Sequence, residues 1–97
     1  MANYVTMIRF AQQGVQNIKE SPARLEAAKS AFREAGAELK QFFLLIGQYD
    51  AMCVCEAPDD ETIAKVMLAA GAQGNVRTET YRAFTEDEYR NIISELP

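Results

Sequence analysis

The chain has 97 residues, 48% hydrophobic and 25% charged, which suits one compact domain and rules out a disordered tail. Its 14 acids outnumber its 10 bases, giving a net charge of −4 that argues against nucleic acid as a partner. It has no histidine, which removes Ser-His-Asp and Cys-His nucleophiles, histidine general bases, the common zinc sites and the usual haem ligand.

Tyr4 to Phe10, rich in β-branched and aromatic residues, reads as the first strand. Residues 12–19 carry Val15 and Ile18 three apart, a short helical lead-in. Ser21-Pro22 then reads as an N-cap followed by proline at the first helical position, where a missing N–H costs nothing. Leu25, Ala28, Phe32 and Ala35 recur at helical spacing behind it, and Gly36 supplies a left-handed stop. Leu39 to Ile46 and Tyr49 to Ala57 are the next strands, with Gly47-Gln48 between them at hairpin spacing.

Pro58-Asp59-Asp60-Glu61 places negative charge at the positive end of a second helix. Ile63, Val66, Met67 and Ala70 form its apolar face, and Gly71 closes it. Asn75 to Phe84 is the fourth strand. Thr85-Glu86-Asp87-Glu88 is a capping box, followed by Tyr89, Ile92, Ile93 and Leu96 on one stripe. The order βαββαβ plus a terminal helix predicts an α+β, ferredoxin-like fold: a four-stranded antiparallel sheet with helices on one face.

With water on the other face, each strand should alternate apolar and polar. Phe42-Phe43-Leu44-Leu45-Ile46 and Ala51-Met52-Cys53-Val54-Cys55 are apolar on both faces. The uncovered face therefore needs a second cover, and a second copy of the chain is the simplest one, so a homodimer is expected. Cys53 and Cys55 would share a strand face about 7 Å apart, awkward for a disulfide, and read as small buried apolar residues. The Met1 to Val5 start lacks the features of a signal peptide, and the longest apolar run, Phe42 to Ile46, is too short to span a bilayer. A cytoplasmic protein without membrane contact is expected.

Several blocks, in order along nearly the whole chain, resemble the GYD-domain family of small bacterial and archaeal proteins. They are Gln13-Gly14, Glu20-Ser21-Pro22-Ala23-Arg24, Gly47-Gln48-Tyr49-Asp50, Glu56-Ala57-Pro58-Asp59-Asp60, Gly74-Asn75-Val76-Arg77-Thr78-Glu79-Thr80 and Arg82-Ala83-Phe84. Ala11, Ala37 and Tyr81 depart from the family's frequent Thr, Gly and Leu. The resemblance implies one GYD-like domain over residues 1–97 and a dimeric α/β barrel. It implies no particular activity, since the wider superfamily ranges from cofactor-independent monooxygenases and lactone isomerases to haem-dependent chlorite dismutases and amino-acid-sensing domains.

Chemistry could sit in two places. In Gly47-Gln48-Tyr49-Asp50, Tyr49 could donate a proton or anchor a ligand and Asp50 could act as a base; turn chemistry is the competing account. On the fourth strand Arg77, Glu79 and Tyr81 share one face, as an ion-paired row or as contacts for a carboxylate or phenolate. Arg9 and Glu56 read as structural charges. Gly71 to Asn75 lacks the Lys-Ser/Thr ending of a phosphate loop, and Asp59, Asp60 and Glu61 diverge around a helix start, so neither a nucleotide nor a metal site is indicated. Met7, Met52 and Met67 fall at packing positions.

The expectation is thus a homodimer that binds a small apolar or carboxylate-bearing molecule in a cleft at the sheet face, through Tyr49, Asp50, Arg77, Glu79 and Tyr81, with no cofactor and no metal. A cofactor-independent isomerase or monooxygenase-like enzyme is the alternative, with Asp50 or Glu79 as base after a burial-raised pKa. A structural or interaction module is the third reading.

Overall fold

A computed structural model describes residues 1–97. Four strands, β1 (Ala2–Phe10), β2 (Glu38–Leu44), β3 (Ala51–Ala57) and β4 (Val76–Ala83), form one antiparallel sheet in the order β2-β3-β1-β4. The helices are α1 (Gln12–Gln16), α2 (Ser21–Glu34), α3 (Asp60–Ala72) and α4 (Glu86–Ser94), with one 3₁₀ turn at Ile18–Glu20. This is the ferredoxin-like βαββαβ arrangement with an added C-terminal helix. No helix is long and apolar enough to cross a membrane.

Local chemistry explains most element ends. At the end of α2, Gly36 has φ +83. The Ala37 N–H reaches the Phe32 carbonyl at 2.8 Å and the Gly36 N–H reaches Arg33 at 3.1 Å, the paired bonds of a Schellman motif. At α4 the capping box forms: the Glu88 N–H donates to Thr85 Oγ at 3.2 Å and the Thr85 N–H to the Glu88 carboxylate at 2.8 Å.

Three boundaries differ from the sequence expectation. Ser21 is inside α2 rather than its N-cap, because the 3₁₀ turn feeds helical backbone through Glu20 (φ −89, ψ −4) directly into the helix. Asp59 caps α3, accepting the Thr62 N–H at 2.8 Å, and the helix runs past Gly71 to Ala72 because the left-handed residue is Gly74, φ +83. The two-residue hairpin at Gly47-Gln48 opens into a connection over residues 45–50. There Asp50 turns towards β1, its N–H donating to the Ile8 carbonyl at 2.9 Å, and Gly47 takes φ +149, outside the reach of other residues.

The sheet's two faces differ sharply. On one, Tyr4, Thr6, Cys53, Cys55 and Ala57 are buried under Phe32 of α2 and Ile63 of α3. Thr6, fully buried, shares a 2.9 Å hydrogen bond with Thr80 across β1 and β4. The Cys53 and Cys55 sulfurs lie 3.5 Å apart as free thiols, and the hydrogen bond from Cys53 together with burial pushes the Cys55 thiol far above its ordinary range. They are inert packing groups. On the other face stand Val5, Met7, Phe43, Met52 and Val54, with no helix over them.

Tyr4 ties the layers together. Its ring is 2% exposed and its phenol donates to the carboxylate of Asp60, the first residue of α3. Burial, reinforced by that bond, pushes the Tyr4 phenol up from 10 to about 12. The folded value exceeds the unfolded one, so this stabilisation is complete below pH 10 and is lost as pH rises towards 12. An ultraviolet titration should therefore show one of the 4 tyrosines ionising late, together with unfolding. Tyr4→Phe should cost about 1 kcal/mol at neutral pH and flatten that alkaline loss. An unchanged alkaline profile would show that another group governs it.

Candidate functional site

Three of the five residues singled out in the sequence meet on the uncovered sheet face. Glu79 of β4 accepts hydrogen bonds from the Tyr81 phenol at 2.7 Å and the Tyr49 phenol at 2.9 Å, both through Oε2. Arg9 of β1 lies over the Tyr49 ring, 4.7 Å from its centroid. The two phenols, Tyr81 first, hold the Glu79 carboxyl below its ordinary range, and Glu79 in turn pushes the Tyr81 phenol up. Glu79 is thus fixed as an anion whose acceptor sites are occupied, a poor proton acceptor near neutrality.

The other two lie apart from this cluster. The Asp50 carboxylate accepts the Phe10 N–H at 2.8 Å, extending the sheet bonding where β1 ends. With its own N–H on Ile8, Asp50 links the 45–50 connection to β1. Arg77 is exposed, forms no ion pair in the chain and stands directly across from Arg9. No group of three or more Cys, Asp or Glu side chains gathers as a metal site.

A second feature lies on the helix-covered face. A cavity of about 120 Å³ sits between the sheet and α2 and α3, walled by Ile8, Phe10, Leu25, Phe32, Leu39, Phe42, Met67 and Val76. Thr6, Thr78 and Cys53 add a few weakly polar atoms to its floor, and Ser21, Arg24, Gln73 and Asn75 line the end nearest α1. At about 24 cal/mol per Å³, leaving such a void empty in an apolar core costs roughly 3 kcal/mol relative to filling it. Ala28 of α2 and Ala70 of α3 border the space, and a larger side chain at either would close it.

Sequence reasoning missed this cavity. The available signal was small or hydroxylated residues at inward positions where bulky apolar ones normally pack: Ala28 and Ala70 on the helices, Thr6 and Thr78 on the strands. Such residues also occur in filled cores, so only the assembled layers reveal that the space between them is open.

The polar end of the cavity is held by α1. Gln13 Nε2 donates to the Gln73 carbonyl and to Asn75 Oδ1, both at 3.1 Å, and the Ala11 N–H donates to the Asn75 carbonyl at 2.9 Å. Arg24 clasps the same turn, donating to the carbonyls of Asn17 at 2.9 Å and Gly14 at 3.3 Å. Gly14 is required for this contact: a Cβ there would lie 2.2 Å from the Asn75 carbonyl oxygen. The blocks Gln13-Gly14, Arg24 and Gly74-Asn75 thus converge on one place.

Comparison with known proteins bears on this arrangement. The family model described as "GYD domain" matches residues 4–93. Over 84 residues the chain is 27% identical to a protein of Thermus thermophilus named "Glutamine synthetase and cystathionine beta-lyase binding protein", covering 86% of this chain and 88% of that one. The crystal structure of a second-named Thermus thermophilus protein, TTHA0845, shares the fold, with a TM-score of 0.55 at 23% identity over 88% of this chain and 95% of that chain.

Proposed function

This chain belongs to the GYD domain family, and from that premise we propose that it is a cytoplasmic, homodimeric binding protein that holds a small, mainly apolar organic molecule in the cavity between its sheet and helices. The cavity carries the ligand reading: an apolar space of about 120 Å³ with hydroxyls on its floor and polar residues at one end. That volume suits a molecule with a single ring, bearing at most one polar group for Thr78 or Asn75. The uncovered face of Val5, Met7, Met52 and Val54 supports the dimer, and two free buried thiols suit a reducing compartment.

In this reading Tyr49, Glu79 and Tyr81 form the polar part of the dimer interface, where Arg77 also lies. Asp50 holds the connection behind them. Native mass spectrometry of the purified protein tests both halves: a dimer is expected, with a reproducible extra mass wherever ligand survives purification. A monomer at micromolar concentration would overturn the dimer. The cavity is tested separately by Ala28→Leu, whose added methylenes occupy most of the void. It should abolish thermal stabilisation by benzene or indole while leaving the unliganded protein unchanged or up to about 1 kcal/mol more stable. Destabilisation by overpacking would mean that the space is already filled.

A second reading, docking of another protein, is favoured by α4. Its stripe of Tyr89, Ile92, Ile93 and Leu96 is 45–61% exposed and covers no part of the core. The Thermus relative's name points to enzymes of nitrogen and sulfur amino-acid metabolism as the class of partner to test first. Titrating purified glutamine synthetase against the wild type and Ile92→Glu would decide it, since the reading requires binding that the substitution removes.

A further inference from the structure

We infer that the open sheet face carries two charged corners that fix how a second copy of this chain docks on it, an inference that rests on the homodimer proposed above. On β1 and β4, Arg9 stands directly opposite Arg77; on β2 and β3, Glu38 stands directly opposite Glu56. All four point away from the helices. Glu56 alternates with the buried Cys55 and Ala57, and Glu38 pairs with it in register. Arg9 falls in the series of Val5 and Met7 on β1, and Arg77 is its partner on β4.

Like charges directly across a strand pair oppose sheet formation. Here that cost is met twice, with opposite signs, at diagonally opposite corners of one face. Glu56 is also in register with Asn3, so the corners are separated by the run from Asn3 to Arg9, about 20 Å at ~3.3 Å per residue. They cannot neutralise each other within one chain. Local relief is partial: Lys40 comes within 3.7 Å of Glu38, and Arg9 rests on the Tyr49 ring beside Glu79. Arg77 and Glu56 have no ion-pair partner.

A second copy of the chain resolves both corners at once. With the two open faces stacked, a two-fold axis perpendicular to the line joining the corners sets each arginine pair over the other copy's glutamate pair. The two-fold repeats the contact, giving two charge matches around an apolar middle of Val5, Met7, Met52 and Val54. A rotation stacking like on like would gather four guanidiniums in a desolvated space and is rejected. The apolar band supplies the adhesion, and the corners select one register among the face-to-face packings that the band alone would allow.

The test is a charge exchange followed by sedimentation at several protein concentrations. Arg9→Glu with Arg77→Glu should weaken the dimer at least about 10-fold, as should Glu38→Arg with Glu56→Arg. All four changes in one chain should restore association to within a few-fold of wild type. Failure of the fourfold variant to recover, or double variants that associate like wild type, would overturn the corner pairing while leaving the dimer intact. A monomeric wild type would instead overturn the dimer itself. A second measurement avoids charge reversal: Arg77→Lys treated with a zero-length carbodiimide should give a peptide cross-linking position 77 to Glu56. The separation within one chain is too long for that bond, so it can form only between copies, and its absence from a cross-linked dimer would contradict the register.

Discussion

Val54→Asp should convert the protein to a monomer, raising the dimer dissociation constant by at least about 100-fold. Val54 lies on the central strand β3, between Val5 of β1 and Gln41 of β2, in the middle of the uncovered face. Stacking two such faces would bury one carboxylate from each copy in an apolar layer with no basic group beside it. Burying an unpaired charge costs several kcal/mol, and about 1.4 kcal/mol is a factor of ten in affinity. The two-fold doubles the penalty, because each substitution enters the interface twice. The protomer should still fold, since Val54 is half-exposed without a partner and a strand position tolerates the exchange for about 1 kcal/mol. Sedimentation of Val54→Asp beside a Val54→Thr control would decide the matter, and a variant that remained dimeric would place the interface elsewhere.

Gly14→Ala should destabilise the fold by about 2–4 kcal/mol, unusually much for one methyl group on a short surface helix. Helix propensity alone predicts the opposite, a gain of up to ~1 kcal/mol from replacing glycine. The clash decides the sign. The new Cβ would stand 2.2 Å from the Asn75 carbonyl oxygen and 3.1 Å from its carbon, both backbone atoms with no rotamer to escape into. Relief requires α1 to lift from the start of β4. That breaks the Ala11 bond to Asn75, strains the two from the Gln13 amide and loosens Arg24 from the Gly14 carbonyl. The polar end of the cavity would open with it, so ligand retention should fall in parallel. A lower denaturation midpoint with an unchanged m-value would report the loss, whereas a change under about 0.5 kcal/mol would show that α1 is not clamped.

The enzyme reading loses ground on the same geometry. Without histidine, a base near neutrality needed Asp50 or Glu79 with a raised pKa. Glu79 is instead held low by two phenols, and Asp50 spends its carboxylate on the Phe10 N–H. The groups that sequence offered as reactive are those that the fold uses to satisfy one another.

Much of this was readable along the chain because it depends on short-range chemistry. The Thr85 capping box, the Gly36 stop and the inert cysteine pair are set by residues within a few positions of each other, and the strand order follows from the alternation of elements. The errors were also local. A 3₁₀ turn before Ser21 has no distinctive composition, and Gly71 and Gly74 are equally able to end a helix until packing chooses between them. The hairpin at Gly47-Gln48 failed for a different reason: Asp50 bonds to Ile8 and Phe10, some forty residues away, and nothing in the turn itself announces them.

The sequence by itself determined the fold class, the family and the presence of a sheet apolar on both faces, because periodicity and composition are properties of single strands and helices. Only the tertiary structure decided which groups meet. Tyr49 reaches Glu79 across thirty positions and Gln13 reaches Asn75 across sixty-two. The Arg9–Arg77 and Glu38–Glu56 pairs exist only through strand register, and the cavity exists only where Ala28, Ala70 and the strand hydroxyls fail to fill the space between layers. Register and packing volume depend on pairs of distant residues, and no local pattern along the chain encodes either.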